Sequence, residues 1–170
     1  SDGTAAGTGL VPVPPALTNV EQPTCADDTA FFFGYVDGAG RALWAADGTP
    51  TGTRLLVDFS SAWQTSPPVP LGRSVVFLVR LPGSGAELWR SDGTVSGTSI
   101  VKSIPSRSDP QCSAMPHRLG RAVVFLADDG STGCNVWRSD GTADGTVPLG
   151  VVGAGSSASM NVVGSARGFL

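Results

Sequence analysis

Apolar residues in this chain come in short dense runs bounded by Gly, Asp, Ser and Pro, rather than at the three-to-four spacing of an amphipathic helix. Ser74–Val79 and Ala122–Ala127 are apolar at almost every position, and Phe31-Phe32-Phe33 holds the same place further upstream. A half-buried strand alternates, so unbroken apolarity predicts strands covered on both faces. Around the last run the pattern predicts four strands. A lead-in lies near Met115–Leu119, and the run itself follows. After the polar hairpin Asp128–Gly133 come a third strand over Asn135–Ser139 and a last one over Thr146–Val152. In Glu87-Leu88-Trp89-Arg90 the adjacent Leu and Trp point to opposite faces and both are apolar, which again suits a sheet held between two others.

These elements recur. Asp-Gly-Thr followed by two residues and Gly-Thr occurs four times, starting at Asp2, Asp47, Asp92 and Asp140, with spacings of 45, 45 and 48. Trp44, Trp89 and Trp137 precede the last three copies at a fixed distance. Residues 71–104 and 119–152 align without a gap and share 16 of 34 positions; residues 26–59 fit the same frame. Residues 1–20 hold a partial copy, and Val163–Leu170 matches the opening of a further one. Asp-Gly supplies a tight turn at Asp2-Gly3, Asp47-Gly48, Asp92-Gly93 and Asp140-Gly141: Gly48, Gly93 and Gly141 are expected at positive φ, and each Asp caps its own turn. Four short strands per repeat of 45–48 residues, apolar on both faces, predict an all-β fold built of β-propeller blades, about 3.5 of them, as part of a larger propeller. A β-solenoid usually has shorter repeats and ranks second.

Composition agrees with this picture. There are 23 Gly and 13 Pro, Glu occurs only at Glu21 and Glu87, and Lys only at Lys102. The excess of Arg over Lys, with abundant Ala, Gly and Pro, points to a GC-rich bacterial genome. A net charge of −3 with scattered Arg forms no basic stripe, which argues against nucleic acid as a partner. No apolar run reaches the roughly 18 residues of a membrane span. The chain opens inside a repeat and stops inside a second strand, so it reads as cut from something longer. Its ends would then be covered by remaining blades or by a partner chain.

Ala86-Glu87-Leu88-Trp89-Arg90-Ser91-Asp92-Gly93-Thr94, followed by Gly97-Thr98, resembles the bacterial ELWxxDGT repeat. The copies at Trp44 and Trp137 match it with Ala42-Leu43 and Asn135-Val136 in place of Glu-Leu. The resemblance implies a propeller-like fold in a large secreted or cell-surface protein and implies no activity. In a secreted chain Cys112 and Cys134, which lie in one repeat, are expected to form a disulfide, leaving Cys25 unpaired or bonded elsewhere.

Little in the chain argues for chemistry. The repeated indoles Trp44, Trp89 and Trp137 are expected between blades, not as sugar platforms, with Trp63, outside the frame, more exposed. The repeated Asp residues could ligate calcium, but other oxygen donors do not repeat with them, so no cofactor is expected. Asp37, Asp128 and Asp129 read as hairpin residues, since the middle copy has no acid there. His117 stands alone opposite Val69 in the repeat frame, and no Ser has a nucleophile-elbow context. Asp27-Asp28 and Asp128-Asp129, read as strand neighbours, would face opposite sides. The functional expectation is a non-catalytic extracellular interaction or adhesion module that contacts protein at the cell surface. The alternatives are a carbohydrate-binding propeller and part of a propeller enzyme whose active site lies in other blades.

Overall fold

The computed structural model describes residues 3–10, 13–15, 17–37, 40–49, 51–83, 85–105, 112 and 115–153, so Asp2 and the partial copy at Val163–Leu170 lie outside the described residues. Among the described residues every regular element is a strand, and the strands form three successive antiparallel sheets. Blade I contains β1 (Leu17–Ala26), β2 (Thr29–Val36), β3 (Gly40–Ala46) and β4 (Arg54–Asp58) in spatial order 1-2-3-4. Blade III repeats this meander with β10 (His117–Leu119), β11 (Ala122–Asp128), β12 (Cys134–Ser139) and β13 (Val147–Gly153).

Blade II departs from the expected four strands. Its inner strand is split into β5 (Gln64–Thr65) and β6 (Val69–Leu71), and both pieces pair with β7 (Ser74–Leu81), followed by β8 (Gly85–Ser91) and β9 (Ser99–Ile104). The break falls at Ser66-Pro67-Pro68, where proline has no N–H to give to a ladder. Ser66 spans the gap: its N–H donates to Leu78 O at 2.8 Å, and its Oγ accepts from Leu78 N at 2.9 Å. Pro23, Pro68 and Pro116 share one position of the repeat frame, and all precede or interrupt an inner strand.

The first blade also starts earlier than its repeat frame implies. Residues 17–20, assigned to the preceding partial copy, are the first part of β1, where Leu17 pairs with Val36 and buries. The strand is rich in polar residues because it is an edge, so it carries little of the apolar signal that anchored the frame. Asp27-Asp28 are not strand neighbours but form the turn between β1 and β2.

The core lies between blades. Phe31, Phe33, Leu43 and Phe59 of blade I pack on Val75, Phe77, Val79 and Trp89 of blade II. Val76, Leu78, Leu88 and Ile104 of blade II pack on Val123, Phe125, Ala127 and Trp137 of blade III. Successive residues of β7 therefore serve opposite neighbours, which is why that strand is apolar throughout. Leu88 and Trp89 divide in the same way between the two junctions.

Cys112 and Cys134 form a disulfide with a Cα–Cα distance of 5.9 Å, joining the connector before β10 to the start of β12 across 22 positions. A loop of that size contributes roughly 3 kcal/mol by restricting the unfolded chain. Cys25 is an exposed free thiol.

Candidate functional site at the repeated turns and blade junctions

The Asp-Gly-Thr turns between third and fourth strands are closed hydrogen-bond networks. Oδ1 of Asp47, Asp92 and Asp140 accepts from the backbone N–H of Thr49, Thr94 and Thr142 at 2.9, 2.9 and 3.0 Å. It also accepts from the same threonines' hydroxyls, each at 2.7 Å. In blades II and III the threonine Oγ1 accepts from the second glycine, Gly97 or Gly145, at 2.9 and 3.0 Å. The closing hydroxyls of Thr98 and Thr146 donate to the carbonyls of Thr94 and Thr142 at 2.6 Å. A Cβ on Gly52, Gly97 or Gly145 would overlap the capping carboxylate, so the second glycine is required by close packing. The first glycine is required by backbone conformation: φ is +82° at Gly48, +90° at Gly93 and +88° at Gly141. Gly3 has φ +90°, and its turn keeps the Gly7 N–H donation to Thr4 Oγ1 at 2.9 Å.

A hydroxyl pair lies beneath two of these turns, and its sequence signal is the repeated Ser-Asp-Gly-Thr. Ser91 Oγ lies 2.7 Å from Thr98 Oγ1 and accepts from Gly93 N at 3.1 Å; Ser139 does the same with Thr146 and Gly141, at 2.7 and 3.0 Å. Blade I has Ala46 at this place. There Arg54 intervenes, donating from Nη1 to Gly52 O at 3.1 Å and from Nε to Gly93 O of the next blade at 2.7 Å.

Each turn glycine of blades II and III is pressed against the preceding blade. A Cβ on Gly93 would stand 3.1 Å from Thr29 Cγ2 and 3.4 Å from Phe31 Cζ, and one on Gly141 would stand 3.1 Å from Leu71 Cδ2. The turns therefore fasten one blade to the next. Beside them open two clefts, of about 350 Å³ at the junction of blades I and II and about 300 Å³ at that of II and III. In the first, Arg73 Nε pairs with Asp27 Oδ2 at 2.9 Å and Arg90 Nη2 donates to Ser74 Oγ at 3.0 Å. The second places Arg118, Arg121 and Asp140 beside Leu71 and Gly72.

The three repeated indoles lie on equivalent faces. Trp44 and Trp137 are 5% and 7% exposed, and Trp89 is half-buried. Phe77 stacks on Trp89 and Phe125 on Trp137, with centroids 6.4 and 6.3 Å apart, and Phe59 meets Trp89 edge-on at 5.1 Å. Glu87 Oε2 accepts from Trp89 Nε1 at 2.9 Å, which gives the Glu-x-Trp pair a structural purpose. Trp137 Nε1 donates to Ala127 O at 3.3 Å, whereas Trp44, with Ala42 in the glutamate's place, keeps a buried N–H without an acceptor among the described residues. Trp63 is 62% exposed.

Of the remaining acidic candidates, Asp37 lies in the turn after β2, whereas Asp128, expected in the hairpin, is the last residue of β11, and its Oδ1 accepts from Gly130 N at 2.7 Å. Asp129 Oδ1 accepts from Ser131 N and Thr132 N at 2.9 and 2.8 Å, and its Oδ2 accepts from Thr132 Oγ1 at 2.9 Å. Among the described residues no group of three or more His, Cys, Asp or Glu gathers to hold a metal. His117 opens β10, paired with Val124 as Val69 pairs with Val76 in blade II.

Backbone donation from Thr132 and Ser131 holds the Asp129 carboxyl at about 2. Donation from Thr49, Thr94 and Thr142 likewise lowers those of Asp47, Asp92 and Asp140. A depressed folded pKa stabilises the fold above the unfolded carboxyl pKa of about 3.9, and that contribution disappears as pH falls through the folded value. We expect the stability difference between the wild type and Asp129→Asn to narrow from about pH 4 to pH 2 in thermal melts. A difference that stays constant over that range contradicts the assigned turn.

No protein-family model matches the chain, and no curated protein sequence matches it. Its fold is similar to that of a puromycin hydrolase variant complexed with PGG, with TM-score 0.51 and 20% identity, covering 82% of this chain and 24% of that one. A likeness to TolB from Acinetobacter baumannii has TM-score 0.48 and 16% identity, covering 82% of this chain and 39% of that one. The chain thus spans well under half the length of either protein. The blades are those of a β-propeller.

Proposed function

We propose that this chain is a non-catalytic propeller module that acts outside the bacterial cell in adhesion or protein interaction. The observation that carries this reading is the fate of the repeated residues. The Asp, Thr and Gly of each turn bond to one another, Trp89 and Trp137 pack between blades, and Trp44 is buried within blade I on Leu17, Phe32 and Ala42, so what recurs is scaffold. Recognition then falls to exposed side chains that do not recur. The Cys112–Cys134 disulfide supports an oxidising compartment, and the resemblance to ELWxxDGT repeats supports a secreted or surface location.

Exposed Trp63 favours one alternative, a glycan site with that indole as its platform. Labelled protein applied to whole cells and to a glycan array separates the two. Cell binding removed by surface proteolysis, with no glycan bound, supports the protein-interaction reading. Glycan binding that is lost in Trp63→Ala replaces it with the lectin reading. Hydrolysis of a model ester, peptide or glycoside by the purified chain contradicts both.

A further inference from the structure

We propose that the cleft between blades II and III binds one acidic side chain, an Asp or Glu carboxylate presented by a partner protein, with Arg121 and Arg118 as its ligands. The choice of partner rests on the protein-interaction reading above; the chemistry of the cleft does not. The cleft between blades I and II shows what such a place holds. There the turn between β1 and β2 carries Asp27, and Arg73 Nε of the next blade pairs with its Oδ2 at 2.9 Å. Asp27 has φ +53°, a conformation that the same turn gives to glycine in the other blades, at Gly72 (+65°) and Gly120 (+61°).

The second cleft repeats the first without its turn acid. Arg121 stands where Arg73 does, 48 positions on, and Gly72 stands where Asp27 does, 45 positions on. A Cβ on Gly72 would meet nothing within 4 Å, so there is room for a carboxylate beside it. The cleft, of about 300 Å³, is lined by Arg118 and Arg121 against one acid, Asp140, whereas the first sets Arg73 and Arg90 against Asp27 and Asp92. Asp140 is engaged by its own turn, its Oδ1 accepting from the N–H and hydroxyl of Thr142 at 3.0 and 2.7 Å. Arg118 Nε donates to Gly120 O at 3.0 Å. Among the described residues neither arginine forms an ion pair, and the Arg121 guanidinium forms no hydrogen bond. Residues 154–170 contain no Asp or Glu to supply the carboxylate, and the cleft lies between two formed blades. Guanidinium groups present a fork of N–H donors that matches a carboxylate, and Asp27 shows a side chain of a polypeptide turn taking that place.

Nuclear magnetic resonance of the arginine Nε–H groups tests this, with acetyl-Gly-Asp-Gly-amide as probe and its Asn counterpart as control at constant ionic strength. The Asp peptide should shift the Arg121 signal saturably and leave Arg73, already paired, in place; the Asn peptide should shift neither. Arg121→Gln, read at the Arg118 signal, should weaken peptide binding about tenfold or more, because charge-assisted hydrogen bonds are lost. Gly72→Asp restores the arrangement of the first cleft and should abolish the Arg121 response in a folded chain. The reverse exchange, Asp27→Gly, should give Arg73 the response of Arg121. A response at Arg121 that the Asn peptide matches, or that survives Gly72→Asp, would overturn the proposal, as would an Arg73 that stays silent in Asp27→Gly. Glucuronate that shifts Arg121 where the peptide does not would assign the cleft to acidic sugars and overturn the choice of a protein side chain. Whole-cell binding reads the adhesion function separately, so failure of the peptide arms leaves that reading standing.

Discussion

Trp89→Ala is expected to cost about 3 kcal/mol, the lower end of the range for a truncated core indole, because Trp89 is only half-buried. In a domain of this size that corresponds to a fall in melting temperature of about 6–12 °C. The loss has three parts: the edge-on contact with Phe59, the stack on Phe77, and the hydrogen bond that leaves Glu87 without its donor. Phe59 and Phe77 belong to different blades, so the variant should weaken the junction and not only one sheet. Differential scanning calorimetry reads this directly. A variant that melts with wild type but loses binding to a glycan would move the repeated indoles from core to recognition.

Gly93→Val should be as damaging, for two separable reasons. A β-branched residue at φ +90° is strained by about 1–3 kcal/mol. Its Cβ would also press on Thr29 and Phe31, adding about 1–3 kcal/mol of overpacking. Gly48→Val provides the internal comparison, since it carries the backbone strain with no neighbour within 4 Å. Chemical denaturation should therefore rank Gly93→Val below Gly48→Val by the overpacking share. Equal losses at the two positions would mean that the turn does not seat on the preceding blade.

The sequence disclosed the parts of this fold that repeat and bury. Unbroken apolarity at Ser74–Val79 implied two covered faces, and β7 divides its side chains between two junctions. Asp-Gly required positive φ, which Gly48, Gly93 and Gly141 adopt. What stayed hidden was what each blade does differently. β1 is an edge strand with a largely polar sequence, so residues 17–20 carry no apolar run to mark them as strand, and the split in the inner strand of blade II goes with Pro67, which falls opposite Gln22 and Met115 in the other copies. Arg54 reaching Gly93 O is a contact across 39 positions, and no local pattern encodes it. The serine beneath two of the turns was legible in Trp-Arg-Ser-Asp, but its role depends on a threonine 7 residues away.

The repeated turn locks one blade onto the next in blades II and III, while a Cβ on Gly48 in the same turn of blade I would meet nothing within 4 Å among the described residues. Amide hydrogen exchange at the three turn glycines, followed by NMR in dilute protein, tests it without altering the chain. The N–H groups of Gly93 and Gly141 are buried and donate to Ser91 and Ser139, whereas Gly48 is exposed and has Ala46 in the serine's place. Slow exchange is expected at Gly93 and Gly141 and fast exchange at Gly48. Fast exchange at all three glycines would contradict it.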